Sequence, residues 1–231
     1  MDLEDLDWRL IREETRPGAM QMALDEVAAE TAAETGTATA RVYRFKPTAL
    51  TLGYAQDAGT VDWAACEAAG VDVVRRRTGG GGILHHTVGD VSYSLAVPAD
   101  ALPGARESYR LLLEPVVRTF ERMHVDARPA GTERPGVHEP SCYLRGIDPD
   151  HDLVVGDDDG VRKVGGTAQH RGREAVLQHG SLVFSAFPER HLAAFADPGV
   201  DAAGFRERVA GLDEYSAEPR TGVVGLLEAM L

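Results

Sequence analysis

Along residues 18–34, GAMQMALDEVAAETAAE, apolar side chains return at Met20, Leu24, Val27 and Ala28, the spacing of one helix face, in an alanine-rich setting that favours helix. The period then shortens. ARVYRF (40–45) and ALTLGYA (49–55) alternate apolar and polar residues like strands, with Lys46-Pro47 as the turn between them. VDWAACEAAG (61–70) reads as a short helix closed by Gly70, and VDVVRR (71–76) as a strand that leads into a run of glycines. GILHH (82–86) and VSYSLAV (91–97) are the next two strands, with TVGD between them predicted as a hairpin turn.

Residues 108–125, SYRLLLEPVVRTFERMHV, carry a helical pattern that Pro115 is expected to kink or split. Residues 129–152 are rich in Pro, Gly and Asp and are expected to form a long surface loop, the kind of segment that carries function. Strands follow near DLVV (152–155), RKVGGTAQ (162–169), EAVLQHG (174–180) and SLVFS (181–185), and helical segments run from PERHLAAF (188–195) to the end. GDDDG (156–160) reads as a solvated hairpin tip, since the later ligands of a calcium loop are missing. Strands with helices before, between and after them predict one α+β sheet domain over residues 1–231, with no C-terminal accessory domain.

Composition narrows the classes. With 231 residues, 43% of them hydrophobic, the chain can bury a core, and no run approaches the roughly 18–20 apolar residues of a membrane span. The acidic start MDLEDLDWRL does not resemble a secretion signal, so a cytoplasmic protein without a membrane partner is expected. A net charge of −13 disfavours nucleic acid as a partner and suggests a surface suited to concentrated salt. Two cysteines, Cys66 and Cys142, exclude a disulfide framework or a zinc ribbon, and Cys66, on an alanine-rich helix, is assigned to packing. Only two lysines, Lys46 and Lys163, stand against 22 arginines, so each retained lysine invites a reason.

The densest chemistry lies in RRRTGGGGILHH, Arg75 to His86. Consecutive glycines after a strand let the backbone approach a ligand and aim several N–H groups at it, while Arg75, Arg76 and Arg77 could add charged forks for the same anion. The alternative from the residues alone is a flexible glycine hairpin beside a solvated basic stripe. The run matches neither a Walker loop nor a dinucleotide fingerprint. His85 and His86, adjacent on a strand, point to opposite faces, so only one can share the glycine side; with His179 they lack metal-ligand spacing, and no metal site is assigned. In RKVGGTAQHRGREAVLQHGSLVF (162–184), Lys163 precedes a second glycine pair, where its ammonium could hold a phosphate or carbonyl oxygen or could be an exposed strand lysine.

Taken in order, MALDEV, TLGYAQDA, RRRTGGGGILH and KVGGTAQHRGREAVLQHGSLVFS resemble the motifs of the lipoate-protein ligases and octanoyltransferases, over roughly residues 15–187. The resemblance implies a biotin/lipoate ligase-like fold, a mixed, mostly antiparallel sheet flanked by helices. For the ligases it implies ATP and Mg2+, lipoate or octanoate as the acyl substrate, a lipoyl-adenylate intermediate, and transfer to a lysine of a lipoyl domain. That acceptor is the E2 of a 2-oxoacid dehydrogenase or the H protein of glycine cleavage. Carried over by position, Arg75, Arg76, Thr78, Gly79, Gly80, Gly81 and His85 would cradle the adenylate. Lys163 would stand at the carbonyl and phosphate, and Asp152, Gly166, Ala168, His179 and Gly180 would complete the pocket. An ATP-dependent lipoate-protein ligase is the leading expectation.

Two departures keep other readings open. His151 replaces the Asn, and His86 the Asp, that ligases carry, and the chain stops at Leu231 where many ligases add a small domain, which points to a separately encoded accessory subunit. Cys142-Tyr143 falls where the cysteine octanoyltransferases carry Cys-Phe, and ESYR (107–110) resembles the same subset. In that reading Cys142 takes the acyl group from an acyl carrier protein as a thioester, without ATP. Against it stands a loop cysteine with no chemical role. A non-catalytic binder of lipoate or acyl-adenylate is the alternative of another class.

Overall fold

The computed structural model describes residues 3–156 and 160–231, so the tip expected in GDDDG falls largely outside the described residues. Among the described residues, ten strands form two sheets. β1 (Trp8–Arg16), β2 (Ala38–Phe45), β6 (Asp90–Pro98), β7 (Arg128–Pro129), β8 (Asp152–Val155), β9 (Arg162–Arg171) and β10 (Ala175–Val183) make the larger one, in the order β1-β2-β6-β10-β9-β8-β7. All neighbours there are antiparallel except β1 and β2. β3 (Ala49–Leu52), β4 (Asp72–Arg75) and β5 (Ile83–His85) make the smaller sheet, in the order β4-β3-β5, with β3 and β4 parallel. The mixed, mostly antiparallel α+β expectation is met.

Each parallel pair needs a crossover longer than a hairpin, and a helix supplies it. α1 (Gly18–Thr35) joins β1 to β2, and α2 (Trp63–Ala68) joins β3 to β4. α3 (Ala105–Arg122) and α6 (Arg220–Met230) cover one face of the large sheet, where Leu112, Val116, Phe120, Val223 and Leu227 pack on Val42, Tyr93, Leu153, Val164 and Leu182. Two short helices, α4 (Pro188–Leu192) and α5 (Ala202–Arg206), pack beside the loop that carries Tyr143 and Leu144. α1 touches strands of both sheets and so sets how they face each other.

Several predicted elements differ. β5 and β6 are no hairpin: the turn at 87–89 is closed by the amides of Gly89 and Asp90 on the His86 carbonyl, and sends the two strands to different sheets. α3 runs unbroken through Pro115. Leu111, whose carbonyl a proline at 115 deprives of its helical donor, is on the exposed side, where water can serve it. EAVLQHG and SLVFS are one strand, β10, rather than two. The 129–152 loop is less superficial than expected, with Ser141, Tyr143 and Leu144 buried in it. Finally, α1 buries Gln21, Met22, Asp25, Ala28 and Ala32, while the predicted core positions Met20 and Val27 are exposed. Its inner face is polar because Arg41 of β2, itself fully buried, needs partners there: Gln21 Oε1 accepts at 2.5 Å and Asp25 Oδ1 forms an ion pair.

Candidate acyl-handling site

The turn between β4 and β5 faces β9 and β10 across a cavity of about 840 Å³. Gly79, Gly80, Arg76 and His85 line it from the small sheet, and Lys163, Gly166, Ala168, His179 and Gly180 from the large one. Asp152, at the start of β8, and Cys142, Arg145 and Gly146 of the long loop complete that wall, and Met22, Tyr43 and Phe45 supply an apolar side. Of the residues singled out by sequence, Arg75, Thr78 and Gly81 do not line the cavity.

The three arginines of the signature diverge, which corrects the expectation that they converge on one anion. Arg75 Nη1 turns outward to the carbonyls of Gly53, Tyr54 and Gln56 at 2.7–2.9 Å, and exposed Arg77 pairs with Glu26. Arg76 alone is buried, and all five of its N–H groups have protein acceptors. Nε donates to Thr78 Oγ1 at 3.1 Å, Nη1 to the Thr51 carbonyl at 2.8 Å and its hydroxyl at 3.3 Å, and Nη2 to the carbonyls of Gly79 and Gly81 at 2.7 and 2.8 Å. Those last two bonds turn carbonyls inward on the guanidinium. Among the described residues, neither the amide of Gly79 nor that of Gly80 donates to a backbone carbonyl, so these two donors are free for an oxygen in the cavity.

The turn leaves no room for added bulk between Gly80 and Gly53. Gly80 has φ +93°, and its carbonyl would lie 1.9 Å from a Cβ built on Gly53. Gly53→Ala is therefore expected to displace the turn, to cost about 1–3 kcal/mol in urea unfolding, and to lower activity by more than that loss of stability explains. Wild-type stability and turnover in this variant would contradict the packing.

Lys163 is 2% exposed, which disposes of the exposed strand lysine. Its Nζ lies 3.0 Å from Asp152 Oδ2 and donates to the carbonyls of Cys142 and Gly146, each at 3.1 Å. Burial pushes the Asp152 carboxyl above its ordinary value, and the ammonium opposes that shift. The Cys142 segment is also laced to the glycine turn: the Gly82 amide donates to the Pro140 carbonyl at 2.6 Å, and the Cys142 amide to the Gly82 carbonyl at 2.9 Å. Cys142 is thus held between turn and lysine, partly exposed on the cavity. Cys66 is buried in the core beneath the small sheet.

Histidines 85 and 86 do point apart. His85 stacks on Phe45 at 4.4 Å with Nε2 on Thr51 Oγ1 at 3.0 Å, while His86 stacks on Phe187 outside the cavity. Burial, then the charge of Arg76, hold His85 well below its ordinary value. One group missed by sequence supports the Cys142 segment from behind: buried His191, whose Nε2 lies 2.7 Å from the Ser141 hydroxyl. Burial pushes His191 down from 6.5 to about 3. The unfolded chain takes up this proton below about 6.5 and the folded chain does not, so stability contributed by the neutral ring is lost as pH falls through that value. His191→Phe should therefore gain on wild type in urea midpoint as pH is lowered from about 7 to 5. A pH-independent difference would contradict the buried neutral ring. The second missed group is Asp25, 2.9 Å from His179 Nδ1. Its signal was MALDEV itself, where an acid interrupts the helix face that turns out to be buried.

An α+β frame with a glycine turn, a buried ammonium and a cysteine around one cavity defines a class of enzyme that handles activated acyl groups. The chain belongs to the lipoyl protein ligase A/B catalytic domain family, whose model matches residues 17–222, and is an enzyme of the ligase/transferase kind acting in lipoylation-related acyl transfer. It is 36% identical over 201 residues to the octanoyltransferase LipM of Kyrpidia tusciae, covering 83% of this chain and 71% of that one. It is 34% identical over 188 residues to the same-named protein of Symbiobacterium thermophilum, covering 78% and 66%. The chain thus spans 71% and 66% of the length of these two relatives. In fold it is similar to the bipartite lipoate protein ligase of Thermoplasma acidophilum, with TM-score 0.77, 24% identity, and 97% of this chain and 82% of that one covered. A lipoate-protein ligase A solved with ATP gives the same score and identity, with 96% and 83% covered. Among the described residues no helix is long and apolar enough to cross a membrane.

Proposed function

We propose that the chain is a cysteine-dependent octanoyltransferase in which Cys142 carries the acyl group as a thioester, in preference to the ATP-dependent ligase that the signature first suggests. The observation that carries this reading is the placement of Cys142, fixed to the glycine turn by backbone pairing and to Lys163 by its own carbonyl, at the wall of the cavity. A cysteine with no chemical role needs no such fastening. The naming of the relatives as octanoyltransferases supports it.

In this reading the Cys142 thiolate attacks the thioester carbonyl of an octanoyl carrier protein. A tetrahedral oxyanion forms, its C–S bond to the carrier breaks, and the carrier leaves as a thiol after taking a proton. The ε-amine of a lipoyl-domain lysine then attacks the Cys142 thioester, the new amide forms, and the cysteine is released. In this reading the amides of Gly79 and Gly80 receive each oxyanion, and Lys163, bonded to the Cys142 carbonyl, holds the nucleophile's loop. The apolar side at Met22, Tyr43 and Phe45 suits the hydrocarbon tail. Asp152, the buried acid of the cavity, is already bonded to Lys163, and no step of this reading is routed through Mg2+.

The test is to incubate the protein with a lipoyl domain and either octanoyl carrier protein without ATP, or lipoate with ATP and Mg2+, and to weigh the lipoyl domain. Octanoylation in the first mixture is expected. Modification only in the second would restore the ligase, and none in either would favour a binding protein.

A further inference from the structure

One buried chain of polar groups joins the two sheets behind the cavity. Asp25 Oδ2 lies 2.9 Å from His179 Nδ1, and His179 Nε2 lies 2.6 Å from Thr78 Oγ1, which accepts from Arg76 Nε at 3.1 Å. All four side chains are at most 7% exposed. The carboxylate fixes the direction of the whole chain. His179 donates from Nδ1 to Asp25, so its Nε2 offers a lone pair; Thr78 donates its single proton there and keeps an oxygen lone pair for Arg76. Asp25 is itself held by Arg41 and by the Ser94 hydroxyl at 2.7 Å on Oδ1.

Arg76 differs from the other buried arginines of the described residues. Arg41 pairs with Asp25 and Glu14, and Arg220 with Glu13, whereas Arg76 forms no ion pair and is bonded to neutral oxygens only. Its charge is therefore buried and uncompensated by contact, whereas Lys163 is neutralised by Asp152, Arg145 pairs with Glu139, and Arg134, which among the described residues has no ion pair either, is only half-buried. It also sits close to the cysteine: Gly81, whose carbonyl takes Arg76 Nη2, packs so tightly on the Cys142 segment that an added Cβ would lie 2.8 Å from the Cys142 amide nitrogen.

We propose that Asp25 is a positioning residue which, through His179 and Thr78, holds the Arg76 guanidinium against the glycine turn, so that Arg76 presents a buried, uncompensated positive charge to anions formed at Cys142. The inference deepens the transferase reading, since that reading supplies the anions: the thiolate and the tetrahedral oxyanion. Arg76 binds no substrate atom with its own N–H groups; it acts as a fixed charge and as the clamp that leaves the glycine amides free.

The charge is read by alkylating Cys142 with iodoacetate, an anion, and iodoacetamide, its neutral analogue, and taking the ratio of the two rates by peptide mass. Thiolate fraction and accessibility affect both reagents alike and cancel, so a purely structural role would leave the ratio unmoved. Arg76→Gln is expected to lower the iodoacetate-to-iodoacetamide ratio by about tenfold, and Asp25→Asn and Thr78→Val each by several-fold, while Thr78→Ser, which keeps the hydroxyl, stays near wild type. Asp25→Asn combined with Thr78→Val should lower it no further than either alone, because both act on one chain. If Arg76→Gln does not fold, the Thr78 pair and Asp25→Asn decide. A ratio unchanged in folded Thr78→Val and Asp25→Asn overturns the proposal. Alkylation requires no acyl transfer, so a failed transferase reading with a shifted ratio remains distinguishable from a failed relay.

Discussion

Cys142→Ala is expected to lower transfer from octanoyl carrier protein by at least about a thousandfold in kcat and to leave the fold intact. The side chain is partly exposed at the cavity wall, while the fastening of its segment runs through backbone atoms: its amide to Gly82, its carbonyl to Lys163. Removing Sγ therefore removes chemistry without removing support. Cys142→Ser keeps a nucleophilic atom in place, but a hydroxyl is a far weaker acid than a thiol and is ionised too little to compete. Its activity should stay close to that of the alanine variant. Carrier protein and lipoyl domain should still bind, so the loss belongs in kcat rather than KM. Unchanged ATP-dependent lipoylation by Cys142→Ala would instead assign the activity to an adenylate route.

Lys163→Ala is expected to damage both stability and transfer, for separable reasons. The ammonium is the partner of Asp152, which is buried, and removing one member of a buried pair strands the other, at a cost of about 3–5 kcal/mol. Asp152 already has its carboxyl raised by burial against the opposing lysine, and without the lysine it rises further. A raised carboxyl contributes stability at low pH that is lost as pH rises, so the deficit of Lys163→Ala should shrink on acidification. Combining it with Asp152→Asn removes the stranded charge and should recover most of the stability. Transfer should not recover, because the carbonyls of Cys142 and Gly146 still lack the donor that fixes the loop. A double variant that regains both would reduce Lys163 to a structural ion pair.

The alternation of apolar residues located β2 and β3, and the glycine run, Lys163 and Cys142 were each legible as chemistry before any coordinates; the structure brings all three to one cavity. What escaped has physical causes. β1 was missed because WRLIREETR is an edge strand carrying five charged side chains, so its alternation is weak. The face of α1 was misjudged because apolar spacing alone ignores a buried arginine on a neighbouring strand, and Arg41 sets that face. Asp25 disappeared with it. The three arginines looked equivalent in sequence, yet where the chain leaves β4, Arg75 is held by the carbonyls of residues 53–56 and Arg77 by Glu26, while Arg76 turns inward, so only one reaches the cavity. His191 and Ser141, 50 positions apart, carry no local pattern that joins them.

The central claim is that the acyl group passes through the sulfur of Cys142. It is tested most directly by weighing the intact chain after brief mixing with octanoyl carrier protein, with neither ATP nor lipoyl domain present. The expected result is a gain of one octanoyl group per chain, on the peptide containing Cys142, discharged when lipoyl domain is added. No gain, from a preparation that still modifies lipoyl domain, would contradict it.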